Sequence, residues 1–598
     1  MLKAFLDRVS RGQSLYITDV RNAFQARGKR PFHLHVTLYD GSVRRFPLLL
    51  PETNGTVEEA FVSEYVCAFA YNLLSALGGV RLNVYLDRTD RAARALAEDL
   101  SRIFQLSVPK AARTGYGKCL NVNERVLSAL FHGGQAFSFG VGSTAEEPAA
   151  EGRPEPGGRP VFAKLPALVQ GRMLLGMDVG GTDVKLAVSA DGRLVLKEFD
   201  WLPSACARAE ELTAPLLLLA RLLRAAGSLY MADREAEVDW AALDRRASMA
   251  EMEQAAGRME RAAGDGLHGF DAIGLSFPDV VIQNRIVGGE TPKTQGLRHN
   301  SALDYETQFA QITALNRALE AYTVPGGPVL CANDGPMAAF TAAVEQAAAG
   351  AELSRGFFAH SLGTDLGTGW VRSNGSIPDL PLEVYNFIID LGSRDGHAFP
   401  PEDARSVRST NTGLPGALQK YAGQAAVFRL AAARLPRQAP ELWQDALSRN
   451  LFRWEGERLI VPTSPADMRK DCLEYFMERA AAGQPDCQEI FRQIGEHLAV
   501  AESETEYIIC LSSGDHTLFG RLVKDPACFR LLCQGAARRD PGLRLAAADG
   551  NLANTPLMRQ LACCPGRTVA QFAQAVGAVY YGCLGLTAPT DGGRFCCF

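Results

Sequence analysis

The fold turns on RMLLGMDVGGTDVKLAVSADGRLVLKEF, residues 172–199. Three runs rich in strand-forming residues are separated by two short turns. The first turn is Gly180-Gly181-Thr182 and the second is Asp191-Gly192, a dipeptide that favours tight hairpins. Working outward, DAIGLSFPDVVI (271–282) reads as a strand, and PVLCANDGPMAAFTAAVEQAAAG (328–350) as a strand running into a helix. GFFAHSLGTDLGTGWV (356–371) reads as strand, Gly/Thr turn, strand. The Ala-, Leu-, Arg- and Glu-rich stretch 203–264 predicts two or three surface helices, and another helix is expected near 303–322. The last two hundred residues carry helical patterns, interrupted by an expected strand at EYIICLSSGD (506–515). Strand motifs alternating with helices predict an α/β fold with mixed sheets.

The chain of 598 residues has room for three or four compact units, and its 47% hydrophobic content excludes a mainly disordered chain. Sixty-two Lys plus Arg against 67 Asp plus Glu leave a net charge of −5, so no global basic field favours nucleic acid or a membrane surface. The first twenty residues break their apolar positions with Lys, Asp and Arg and lack a secretory core. TAPLLLLARLLRAAG (213–227) is interrupted by Arg221 and Arg224 and is too short to span a bilayer. The fourteen cysteines show no zinc-ligand spacing. Reduced thiols in a soluble, cytoplasmic protein are the expectation.

A seam at TAEEPAAEGRPEPGGRP (144–160) is rich in Pro, Gly, Glu and Ala and has little to bury. It predicts an N-terminal α+β domain over 1–143 and a linker over 144–170. Within 1–143, two β-rich runs flank Asp40-Gly41, VEEAFVSEYVCAFAYNLLSAL (57–77) has helical spacing, and RLNVYLD (81–87) is strand-like before a helical run over 88–104.

Five segments carry candidate chemistry. In Asp178-Val-Gly-Gly-Thr-Asp-Val-Lys185 a strand ends at an acid. The amides at Gly180, Gly181 and Thr182 can approach phosphate oxygens closely, while Thr182 and Lys185 add donors. The spacing is neither a Walker loop nor a dinucleotide fingerprint, and an ordinary hairpin turn is the alternative. Gly363-Thr364-Asp365-Leu366-Gly367-Thr368-Gly369 is a second glycine hairpin with the same pair of readings. Asn333-Asp334 ends a strand and starts a helix, where an acid can act as general base and where Asn or Asp also serves as a helix cap. Ser276 in Gly-Leu-Ser-Phe-Pro-Asp (274–279) can bond a polyol or stabilise a turn. Glu383 in LEVYNFIIDLG is a further carboxylate, at an expected strand start.

DVGGTDVK, GLSFPDVV, ANDGPMAA and LGTDLGTGWV, in that order, resemble the ROK/hexokinase branch of the actin-like sugar kinases, over about 172–585. The resemblance implies an actin-like (ribonuclease H-like) two-lobed kinase core. Its small lobe would span 171–327, completed by the helix 569–582, and its large lobe 328–567. It implies an ATP-dependent kinase acting on a hydroxyl of a hexose or related sugar, with Asp334 as general base. Ser276, Asn333, Glu383 and Asn386 would contact sugar. Gly180, Gly181, Thr182, Lys185, Gly363, Thr364, Gly367, Thr368, Gly369 and Gly514 would bind the nucleotide. Asp178 would hold Mg²⁺ through water.

Asn386 stands where the family places a His that binds sugar and zinc. GLPGALQKYAGQAA (413–426) keeps the frame of the family's zinc segment, but no cysteine occurs between 332 and 471, so zinc is not expected there. Asp365 and Ser512-Ser513 also depart from the pattern. A non-catalytic sugar- or nucleotide-binding regulator, or a pseudokinase, is the alternative. The expected partner is a small-molecule sugar, with no nucleic acid and no membrane; monomer or homodimer stays open.

Overall fold

A computed structural model describes residues 1–131, 134–148, 160–241, 243–288, 295–363, 366–393, 395–510, 515–548 and 552–587. The chain divides into two units. The first comprises Met1–Arg153, His360–Thr368 and Leu380–Asp549; the second comprises Pro154–Ala359, Gly369–Asp379 and Gly550–Phe598.

In the first unit, strands β1 (Arg30–Thr37) and β2 (Val43–Leu50) form the expected hairpin about Asp40-Gly41. β3 (Arg81–Leu86) pairs antiparallel with β1, and β4 (Ser138–Ser143) pairs parallel with β3. The helix Thr56–Leu77 is almost entirely buried over its second half. Residues 1–143 do not stand apart as expected, because buried polar contacts join them to 380–549. Asp390, only 1% exposed, accepts hydrogen bonds from the amides of Leu15 and Gly392, from the Tyr421 hydroxyl at 2.9 Å and from the Ser393 hydroxyl. Burial alone would raise its pKa, but bonds from Ser393, Leu15, Gly392 and Ser14 hold it below the usual carboxylate range. The Asn72 amide bonds both the amide and the carbonyl of Ile388, and Arg21 pairs with the buried Glu504.

The second unit is built on a five-stranded sheet. β5 (Met173–Val179) is central and pairs antiparallel with β6 (Asp183–Ala190), which pairs antiparallel with β7 (Arg193–Asp200). On its other side β5 pairs parallel with β8 (Ala272–Phe277), and β8 pairs parallel with the edge strand Val329–Asn333. The mixed α/β class expected for this core is therefore present. The expected lobe boundary at 327/328 instead falls next to a strand of this same sheet. A helical crossover before PVLCAN reads as a break in sequence, yet a right-handed crossover is how neighbouring parallel strands are joined.

The sheet buries both faces. Met173, Leu175, Met177 and Val179 pack with Leu212, Leu216, Leu219 and Leu223 of the helix Ala209–Met231 in one core, so that helix is internal rather than a surface element. The opposite face takes the C-terminal helix Val569–Gly585. At Gly176 an added Cβ would lie 2.0 Å from the Ala575 carbonyl oxygen, and at Gly274 it would lie 1.8 Å from that of Ala578. Helix and sheet thus meet backbone to backbone.

The expected linker is structured at both ends. Ser143 caps a single turn at Thr144–Glu146, Glu147 accepts from His33 and His35, and Phe162, Leu165 and Val169 are fully buried; residues 149–159 lie outside the described set. The expected strand at 506–515 is also corrected. The helix Pro485–Ile509 runs through EYII, burying Ile494, Leu498, Ala501, Thr505 and Ile508 at helical spacing, and among the described residues the next strand is Asp515–Phe519. Helical burial overrides the β-branched run. Among the described residues, two helices, Thr56–Leu77 and Ala209–Met231, are long and apolar enough to cross a membrane, and 83% and 61% of those windows are buried.

Substituting Gly274→Ala should destabilise the second unit by about 3 kcal/mol, the upper range for overpacking against backbone. Gly266→Ala, where nothing lies within 4 Å of an added Cβ, should leave the denaturation midpoint nearly unchanged. Equal effects of the two would contradict the packing described.

Candidate active site

Register places one polar row across the sheet of the second unit. Ala332 of the edge strand pairs with Ser276 of β8, Ser276 with Asp178 of β5, Asp178 with Lys185 of β6, and Lys185 with Glu198 of β7. Adjacent positions in such a row are ~5 Å apart. The row stands two residues beyond Gly274 and Gly176, so its side chains share the face covered by the C-terminal helix. It lies at the carboxyl ends of three parallel strands, where α/β sheets usually place ligands.

The row differs in openness along its length. Ser276, expected to contact a sugar, is fully enclosed, and its Oγ has no hydrogen-bond partner among the described residues. Lys185, expected as a phosphate donor, lies 2.5 Å from Asp183 Oδ1 and 4.0 Å from Glu198, so its charge is already partnered. Glu198 is 2% exposed and accepts from Arg245 at 3.0 Å, Arg567 at 3.1 Å and Gln571 at 2.9 Å. Neither Glu198 nor its two arginines was singled out in the sequence. Only the strand register, with Glu198 opposite Lys185, could have signalled them.

Asp334 opens the helix Asp334–Ala348, directly after the edge strand. A carboxylate in this first turn is favoured by the helix dipole. Asn333 is its cap: Oδ1 accepts from the Gly335 amide at 3.1 Å and Nδ2 donates to the Asp279 carbonyl at 2.8 Å. Both ends of that amide are engaged, so the capping reading holds for Asn333 in place of the expected sugar contact. Gln574 of the C-terminal helix donates to the Asp334 carbonyl at 3.1 Å, tying that helix to this corner. Gly369 reaches the same corner, since a Cβ there would lie 2.2 Å from the Gly335 carbonyl oxygen. At the first glycine turn the Gly180 amide donates to the Asp183 carbonyl at 2.9 Å, closing a tight turn that carries Gly181 and Thr182.

The second unit therefore gathers Asp178, Gly180, Gly181, Thr182, Lys185, Ser276, Asn333, Asp334 and Gly369. The remaining expected residues belong to the first unit or lie outside the described set. The Gly363 carbonyl accepts from the Gln424 amide at the start of the helix Gly423–Gln438. Thr368 is 7% exposed, with its hydroxyl 3.1 Å from His360 Nδ1, so it faces inward rather than toward a phosphate. Glu383 precedes a single turn at Val384–Asn386 rather than a strand, and its amide donates to the Ser75 carbonyl. Asn386 keeps a buried Oδ1 with no partner among the described residues. Thr364, Asp365, Ser512, Ser513 and Gly514 lie outside the described residues.

Glu198→Gln should cost roughly 1–3 kcal/mol, less than a fully enclosed pair because its arginines reach solvent. Chemical denaturation of the purified chain measures this, and an unchanged midpoint would remove Glu198 as the anchor of the row.

No model of a known protein family matches the chain, and no curated protein matches it. Among solved structures it is similar to a ROK family glucokinase from Streptomyces griseus in complex with glucose and AMPPNP, at 14% identity and a TM-score of 0.34, covering 68% of this chain and 98% of that one. It is similar to a ROK hexokinase from Thermus thermophilus at 18% identity and a TM-score of 0.34, covering 68% and 97%. It is also similar to a ROK family transcriptional regulator, a homolog of the E. coli MLC protein, at 14% identity and a TM-score of 0.34, covering 69% and 81%.

Proposed function

We propose that the chain is an ATP-dependent phosphotransferase that moves a γ-phosphate to a hydroxyl of a hexose or related sugar, with Asp334 as general base. The observation that carries this reading is the meeting of Asp334, Gly369 and the polar row at one end of one sheet. The four ordered sequence motifs support it independently.

Asp334 takes the proton from the attacking hydroxyl as its oxygen bonds the γ-phosphorus and the bond from that phosphorus to the β–γ bridging oxygen breaks, with ADP leaving. The Gly180 amide closes the turn onto the Asp183 carbonyl, so the approach of backbone to phosphate oxygens falls to Gly181 and Thr182. Asp178 fits a hard divalent cation, since carboxylate oxygen is a preferred Mg²⁺ donor and the neighbouring position offers the unpartnered Ser276 hydroxyl. When bound, Mg²⁺ neutralises charge on the polyphosphate. Lys185 fits the nucleotide less well, because Asp183 holds its ammonium. We read it as tuning the charge of the row rather than as a free phosphate donor.

The engaged Asn333 amide and the enclosed Ser276 favour one second reading, a binding protein without turnover. ADP release by the full chain with a panel of hexoses, amino sugars and polyols separates the two. Turnover of an accepted sugar should fall by roughly 10²–10⁴ in Asp334→Asn, the range for loss of a general base. Equal rates for wild type and variant would remove Asp334 from the mechanism, and ligand binding without turnover in both would favour the regulator.

A further inference from the structure

Deep in the first unit, three side chains from three separate elements bring one ligand atom each to a common point. His360 lies on the strand Phe357–Leu362, Glu502 on the helix Pro485–Ile509 and His516 on the strand Asp515–Phe519. His360 Nε2 and His516 Nδ1 are 2.9 Å apart, and Glu502 Oε2 is 3.1 Å from the first and 3.0 Å from the second. All three residues are at most 1% exposed.

Such an equilateral arrangement is awkward for hydrogen bonds alone. Three atoms at equal separation cannot each direct a proton or lone pair at both neighbours, and neither Glu502 oxygen has a hydrogen bond of acceptable direction among the described residues. The outer nitrogens explain which groups face inward. His516 Nε2 lies 3.2 Å from the Glu506 carboxylate, which can accept its proton and so leave the Nδ1 lone pair of a neutral ring turned toward Glu502. His360 Nδ1 lies 3.1 Å from the Thr368 hydroxyl, which can accept in the same way and leave Nε2 as a second inward lone pair. With both rings in these tautomers, two lone pairs and a carboxylate oxygen converge in a buried space, an arrangement that a bound cation relieves as a shared proton would.

We propose that His360, Glu502 and His516 form a binding site for a divalent transition metal of the Zn²⁺ class. An ion ~2.05 Å from each of three atoms spaced ~3 Å apart sits about 1 Å out of their plane, a distance set that N and O ligands of zinc satisfy. Glu502 Oε1, also unpartnered, is available as a fourth donor, so a chelating carboxylate with two imidazoles completes a closed site. Imidazole with carboxylate selects zinc over magnesium or calcium, which take all-oxygen shells. Glu506 and Thr368 supply the outer contacts that orient metal-bound histidines. The site differs in position and chemistry from the segment 413–426, where zinc is not expected. Its full burial makes it structural: it would pin the strand Phe357–Leu362 to the helix carrying Glu502. The inference is independent of the proposed phosphoryl transfer.

The test is metal content of the purified full chain after incubation with zinc and removal of excess. The expected result is about one zinc per chain for wild type, falling roughly tenfold in His516→Ala and in the near-isosteric Glu502→Gln. His33→Ala is the control, because His33 belongs to another histidine–carboxylate cluster, with His35 and Glu147, and should keep its zinc. Cobalt substituted into wild type should give the visible absorption of a tetrahedral site, and a chelator should lower the melting temperature. Wild type without bound zinc, with no cobalt spectrum and with melting insensitive to chelator, overturns the proposal, as does zinc that is lost with His33 instead of His516.

Discussion

The constraint on which the second unit depends is the backbone contact between its C-terminal helix and the sheet. Gly176 and Gly274 leave no room for even a methyl group, so the helix sits unusually close to β5 and β8. That proximity is a consequence of two missing side chains rather than of a large apolar interface. It also fixes what can stand one step further along the strands. The next positions on that face are Asp178 and Ser276, and the same helix bonds Glu198 through Gln571 and the Asp334 carbonyl through Gln574.

From that contact the rest of the site follows. Alternation along β5 sends Met173, Leu175, Met177 and Val179 into one core and leaves Asp178 on the opposite face. Parallel pairing then aligns the carboxyl ends of β5, β8 and the edge strand, so that Asp334 emerges beside them at the start of its helix. The charged end of the row is held by Glu198, which gathers Arg245, Arg567 and Gln571 from different parts of the sequence. Lys185 belongs to this network through both Asp183 and Glu198.

Much of this was legible in the chain because it is local. The turn at Asp191-Gly192, the strand leading into Asp178 and the passage from PVLCAN into a helix each rest on a few neighbouring residues. What failed to show depended on distant partners. EYII reads as a strand until the burial of Leu498, Ala501 and Thr505 reveals a continuing helix. Asn333 carries the same residue type for a cap or a ligand, and only the Gly335 amide and the Asp279 carbonyl decide between them. Asp390 binds Leu15 across most of the chain, so no seam near residue 143 could be trusted as a domain edge. His360, Glu502 and His516 lack any ligand spacing in sequence, because the fold alone brings them together.

The most direct measurement of the central claim is amide hydrogen exchange of the full chain with and without Mg²⁺ and a nonhydrolysable ATP analogue. The account predicts slowed exchange at Gly180–Thr182 and around Gly335, the backbone flanking Asp178 and Asp334, relative to the free chain. Saturating nucleotide that leaves both segments unchanged, or protects only segments elsewhere, would contradict it.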